Sequence, residues 1–151
     1  MNLKGWDQRG LEGLPLKLLL VALLISLSLP VVASAMADYR SSIEEAALGA
    51  EVSRLASSIS EVHAAGEGNV RFITVEVPSG LSIEVGGEGI DAMSVRGVMA
   101  DRVVRTTYLD DPPVRVITTN GEAMIIGGSA TIRLESIRHD DRLVVLAEAP
   151  S

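Results

Sequence analysis

Two hydrophobic patterns of different width follow one another before the chain turns to strands. From Leu18 to Ala37, twenty consecutive residues carry no charge; sixteen are apolar, and the exceptions are Ser26, Ser28, Pro30 and Ser34. Twenty helical residues rise about 30 Å, the thickness of a bilayer's hydrocarbon core. A helix satisfies its backbone polar groups internally, so the run reads as a membrane-spanning helix. Leu18, Leu20, Leu23, Leu24, Leu27 and Val31 give it bulk, and Pro30 is expected to remove one internal bond and bend it. Beyond Ala37 the apolar positions narrow to a seam. Leu48, Val52, Leu55, Ile59 and Val62 recur at steps of four, three, four and three, which is one face of a helix. Glu44, Glu45, Glu51, Arg54 and Glu61 fall largely off that face, and Gly66 and Gly68 supply a stop. The pattern predicts one helix from about Glu12 to Ala64, lipid-facing first and amphipathic afterwards.

From Asn69 onward the period shortens to two. Val70–Val77 is rich in β-branched residues and closed by Pro78-Ser79-Gly80; Leu81, Ile83 and Val85 alternate with Ser82 and Glu84 as in a half-buried strand. Gly86-Gly87-Glu88-Gly89 reads as a connection. Met93–Val98 and Arg102–Tyr108 are expected to pair around Met99-Ala100-Asp101. Val114–Thr118 and Ala123–Ile126 flank Asn120-Gly121, a strong hairpin signal because both residues tolerate positive φ. Ala130–Ile137 and Arg142–Ala147 flank His139-Asp140-Asp141. Some seven short strands at this spacing predict an antiparallel meander or sandwich, with the 48–62 seam as the element that packs on it. The fold class expected is α+β: a long N-terminal helix joined to a C-terminal antiparallel β head.

Charge follows the same division. The chain holds 13 Lys and Arg against 20 Asp and Glu, a net charge of −7. Residues 1–37 carry Lys4, Arg9 and Lys17 against Asp7 and Glu12, a balance of +1, which leaves −8 for the remainder. By the positive-inside rule the short basic leader stays cytoplasmic and the acidic β region lies outside the cell. An acidic chain lacks the cationic footprint of a nucleic-acid binder. The absence of cysteine excludes a disulfide scaffold, a thiol nucleophile and Cys-ligated metal sites. Of the two histidines, His63 suits the C-terminal end of a helix, and His139-Asp140-Asp141 reads as a polar turn rather than an acid–base or metal set. The glycine loop lacks the Lys-Ser/Thr of a phosphate loop, Asp110-Asp111 lacks EF-hand spacing, and Ser79 lacks a partner base. No catalytic set, metal cluster or cofactor motif stands out.

Two fates are open to the apolar helix. Ala33-Ser34-Ala35 and Ala35-Met36-Ala37 resemble an A-x-A secretory cleavage site, although the apolar run exceeds the usual 7–15-residue signal core. The alternative is a retained anchor. Arg9-Gly10-Leu11-Glu12, followed by Gly13-Leu14-Pro15-Leu16-Lys17 and the apolar run, resembles the class III signal peptide of archaeal type IV pilin-like proteins. The resemblance implies that a prepilin peptidase cuts between Gly10 and Leu11, removing residues 1–10 and retaining the helix. It further implies a transmembrane and filament-core helix over 11–37, an amphipathic continuation over 38–65, and an extracellular head over 66–151. Gly66-Glu67-Gly68-Asn69 with Val75-Glu76-Val77-Pro78-Ser79-Gly80-Leu81 is similar to the start of the head in such proteins.

The chain departs from the family pattern at several positions. The fifth residue after the implied cut is Pro15, where many pilins carry glutamate; the early acid is Glu12, and Lys17 is the seventh residue. Glu12 is therefore the candidate for an assembly charge pair with a neighbour's new amine. No Asn-x-Ser/Thr sequon occurs. Small residues (Ala22, Ser26, Ser28, Ala33, Ser34) permit close helix approach, so the helix suits lipid and copies of itself alike. The implied partners are the prepilin peptidase, membrane lipid and other pilin subunits. The leading expectation is a structural subunit of a surface filament, with roles in assembly, attachment or priming. A solitary anchored or secreted β-domain binding module is the alternative, and an enzyme is the least supported class.

Overall fold

The computed structural model describes the backbone of residues 8–149, with side chains along the N-terminal helix from Pro15 onward. Helix α1 (Gln8–Ala64) is followed by β1 (Val70–Glu76), β2 (Leu81–Val85), a 3-10 turn (Asp91–Met93), β3 (Ser94–Met99), β4 (Arg102–Tyr108), β5 (Val116–Thr118), β6 (Met124–Ile126), β7 (Ser129–His139) and β8 (Arg142–Glu148). The chain divides into two compact units, up to Ser42 and from Ile43 onward, with the border inside α1.

In the first unit the helix runs through Pro30 without a break in its assignment. The Ser26 and Ser28 hydroxyls donate to the carbonyls of Ala22 and Leu24, each at 2.8 Å. Both donors are thereby consumed within the helix, as an apolar surrounding requires.

The second unit combines the end of α1 with two four-stranded sheets, ordered β1-β7-β8-β5 and β4-β3-β2-β6. Every neighbouring pair is antiparallel except β5 and β8, which run parallel with Val116 opposite Val145. Alternation sets what each strand buries. Ile73 and Val75 of β1, Ile132 and Leu134 of β7, Leu81, Ile83 and Val85 of β2, and Ile126 of β6 join one buried cluster. Leu48, Val52, Leu55, Ile59 and Val62 of α1 enter the same cluster, so helix and both sheets share a single core. Hence the α+β architecture expected from periodicity is the one observed, and of the two head arrangements expected it is the sandwich.

The helix approaches β3 closely at Gly97. A Cβ built there would lie 2.9 Å from Leu48 Cδ2 and 3.2 Å from Val52 Cγ2. The β3–β4 register also shifts between Gly97 and Val98, which leaves an extra residue on β4. A glycine among the β-branched residues of β3 is therefore a packing requirement. Gly97→Val is expected to destabilise the head by about 1–3 kcal/mol through overpacking. A shift in the denaturant midpoint of the full chain in detergent checks it; an unchanged midpoint contradicts this packing.

One turn departs from expectation. Asn120-Gly121 is a turn but not a hairpin: it passes the chain from β5 in one sheet to β6 in the other. Gly121 takes φ +78°, its N–H donates to Thr118 O at 3.1 Å, and the Glu122 N–H donates to Asn120 Oδ1 at 3.2 Å. The local chemistry is satisfied, and the strands go elsewhere because β5 finds β8 and β6 finds β2. The true two-residue hairpins have no glycine. Ala100 and Asp101 close β3–β4 with φ 47° and 60°, and Asp140 and Asp141 close β7–β8 with φ 49° and 59°. Positive φ at both positions is the mirror-image turn that matches strand twist.

Sheet edges are guarded in different ways. Along the outer edge of β1, Arg54 Nη2 donates to Thr74 O at 2.5 Å and the Glu76 N–H donates to Glu51 Oε2 at 3.3 Å. Arg54 and Glu51 also pair with each other, and that bond holds the Arg54 guanidinium charged beyond its ordinary range. Arg71 and Glu61 add a further link between β1 and α1. In the other sheet the β4 edge carries the register shift together with Arg102 and Arg105, while β5 and β6 span only three residues each. Charges, irregularity and shortness are the devices that keep exposed strands from pairing with other chains.

Candidate functional site

The most unusual surface lies on the first half of α1. Leu18, Leu20, Leu23, Leu24, Leu27 and Val31, with their apolar neighbours from Leu16 to Met36, are each between 50% and 69% exposed. These residues circle the helix, so no face is reserved for a protein core. Large contiguous apolar surfaces are not left in water, and a helix apolar on all sides belongs in lipid or among other helices. The segment is long and apolar enough to cross a membrane. Pro30 lies within it.

The second half presents the opposite arrangement. Leu48, Val52, Leu55 and Ile59 are fully buried and Val62 nearly so. Ala56 and Ser58 are buried beside them. Ser53 and Ser57, off the seam, return their hydroxyls to the carbonyls of Gly49 and Ser53.

The processing residues stand partly apart from this description. Arg9, Gly10, Leu11 and Glu12 belong to the helical backbone, which begins at Gln8 rather than Glu12. Their side chains, including the Glu12 charge proposed for assembly, lie outside the described residues, as does the leader before Gln8.

On the head, His139 Nε2 lies 3.6 Å from Asp140 Oδ2 at the exposed β7–β8 turn. Among the described residues no three His, Asp or Glu side chains gather as a metal site. Two clefts of the head are bordered by arginine. One, of about 800 Å³, is bordered by Thr118, Thr119, Asn120, Ile125, Arg133 and Glu148. Its polar groups bond to one another: Thr118 Oγ1 to Asn120 Oδ1 at 3.0 Å, Thr119 Oγ1 to Glu148 Oε1 at 3.2 Å, and Arg133 to Glu148 and Glu135 at 2.8 and 2.6 Å. The Arg133 guanidinium is accordingly held charged, first by Glu148 and then by Glu135. The other, of about 540 Å³, lies between the end of α1 and the start of β8, and His63, Arg115 and Arg142 border it.

Sequence reasoning located the apolar helix and the seam and missed three things. The approach at Gly97 had a signal, a lone glycine inside a strand pattern. The capping of β1 by Glu51 and Arg54 had none, because those residues read as a solvated face. The Arg115–Arg142 cleft had none either, since the two residues meet only through the parallel β5–β8 pair. Comparison of the chain with protein-family models, curated proteins and solved structures returns no match.

Proposed function

We propose that this chain is a pilin-like structural subunit. Residues 11–37 anchor it in the cell membrane after a prepilin peptidase removes the leader. The β head lies outside the cell, and copies then pack helix to helix in an archaeal type IV pilus-like surface filament, with attachment as the head's role. One observation carries the reading: a single helix bears an apolar surface exposed on every side over residues 16–36 and a seam buried in its own head over residues 48–62. A secretory signal has no use for continuity with the head, because cleavage at Ala35 or Ala37 discards the apolar part. A filament subunit uses both parts, the first to meet lipid and then its neighbours, the second to hold the head. Moving such a helix from lipid to a bundle of copies costs little hydrophobic energy, since hydrocarbon and leucine are equally apolar.

The mature N-terminal peptide, read by mass spectrometry, tests this directly. A terminus at Leu11 is expected. Met36 or Asp38 would mean secretion, and Met1 an unprocessed anchor; either overturns the processing. Shearing cells and finding the protein in the filament fraction tests assembly, and protein that stays wholly with the membrane contradicts it.

A further inference from the structure

We propose that the 540 Å³ cleft at the end of α1 binds an anion carried on an apolar body: a carboxylate or phosphate attached to an aromatic or hydrocarbon group. Its cationic border is His63, Arg115 and Arg142; its apolar wall includes Met93, Pro113 and Leu143; no carboxylate lines it. Four arginines of the head contact carboxylates: Arg71 with Glu61, Arg96 with Glu84 and Asp91, Arg133 with Glu135 and Glu148, Arg138 with Glu67. Among the described residues, Arg115 and Arg142 make no ion pair and no side-chain hydrogen bond. Asp110-Asp111 and Asp140-Asp141 are near them in sequence but do not border the cleft.

Arg102 and Arg105 are likewise unpaired among the described residues, but they stand on the open β4 edge and border neither of these two clefts. The larger cleft has polar groups already committed to one another. The smaller one combines free guanidinium forks with a concave apolar wall. A guanidinium offers five donors in a plane that matches carboxylate and phosphate oxygens. Such charge-assisted bonds are stronger than neutral ones, and more so beside apolar surface that excludes water. The cleft volume lies in the range of small-molecule sites. The site is a property of the head and holds whether or not the chain polymerises, so it does not rest on the filament reading.

The test is a titration of the full chain in neutral detergent, followed by NMR and calorimetry, with phenyl phosphate, inorganic phosphate and benzyl alcohol. Phenyl phosphate is expected to saturate and to shift the signals of His63 and Leu143. It should bind about tenfold or more tightly than either inorganic phosphate or benzyl alcohol, because each of those offers half of the match. Arg115→Gln with Arg142→Gln is expected to weaken it about tenfold or more, and Arg102→Gln with Arg105→Gln to leave it unchanged. Both pairs are exposed, so an unaltered spectrum elsewhere verifies the fold. If the first pair fails to fold, Arg142→Lys serves: it keeps the charge, loses the fork, and should weaken phenyl phosphate without touching benzyl alcohol. The proposal is overturned if phenyl phosphate fails to saturate or binds no tighter than inorganic phosphate. It is equally overturned if removing the cleft arginines costs nothing, or if the β4 pair matters as much.

Discussion

Leu55→Ala is expected to lower the stability of the head by about 2–5 kcal/mol, the range for truncating a fully buried leucine where the surroundings relax only in part. Leu55 is at 0% exposure and sits mid-seam, with Val52 before it and Ile59 after it in the same core. The loss should be read from the slowest-exchanging amides of β7 and β8 in the full chain held in detergent, because those strands report global opening of the head. Far-ultraviolet helicity is the wrong probe, since the first half of α1 stays helical in the micelle whatever the head does. A loss below about 1 kcal/mol would mean that the seam is peripheral to the core. Leu24→Ala is the companion variant: Leu24 is 55% exposed and outside the head unit, so the head should not register the change.

Leu23→Arg combined with Leu24→Arg is expected to release the chain from the membrane fraction. A central arginine costs about 2.5–3.5 kcal/mol on insertion scales, and the pair also forfeits two leucines that favoured lipid. Adjacent residues point about 100° apart around a helix, so one snorkelling path does not serve both. Extraction of membranes at alkaline pH measures the outcome: the variant appears in the supernatant while the parent remains in the pellet. Retention of the variant in the pellet would show that this segment is not the anchor. The head's exchange pattern should be identical in the two proteins, which separates anchoring from folding.

Much of the architecture was legible because periodicity is a local property. The apolar run and the 48–62 seam each declare a helix and its face, and the alternation in Leu81–Val85 declares a strand with one side buried. Strand partners are not local. Asn120-Gly121 carries the residues of a hairpin, yet Val116–Thr118 contributes to one sheet and Met124–Ile126 to the other. Asp140-Asp141 closes a real hairpin with residues that bear a steric cost at positive φ, offset by the long β7–β8 ladder that follows. For the functional surfaces the same division holds. An anchor is a run and a seam is a period, so both are written in order along the chain. Arg115 and Arg142 become neighbours only once β5 lies beside β8, and no pattern in either strand announces it.

The sharing of α1 between an apolar run able to cross a membrane and the head has a consequence for how the head can be released by proteolysis. A protease that cuts before Ile43 severs the tether and sets free a complete folded unit. A cut between Arg54 and Val62 removes part of the core and strips Glu51 and Arg54 from the open strand they cover. The product would be a sticky remnant prone to strand-to-strand clumping. Shedding of an intact domain is thus confined to the stretch between the apolar run and Ile43, where Asp38, Tyr39 and Arg40 are exposed.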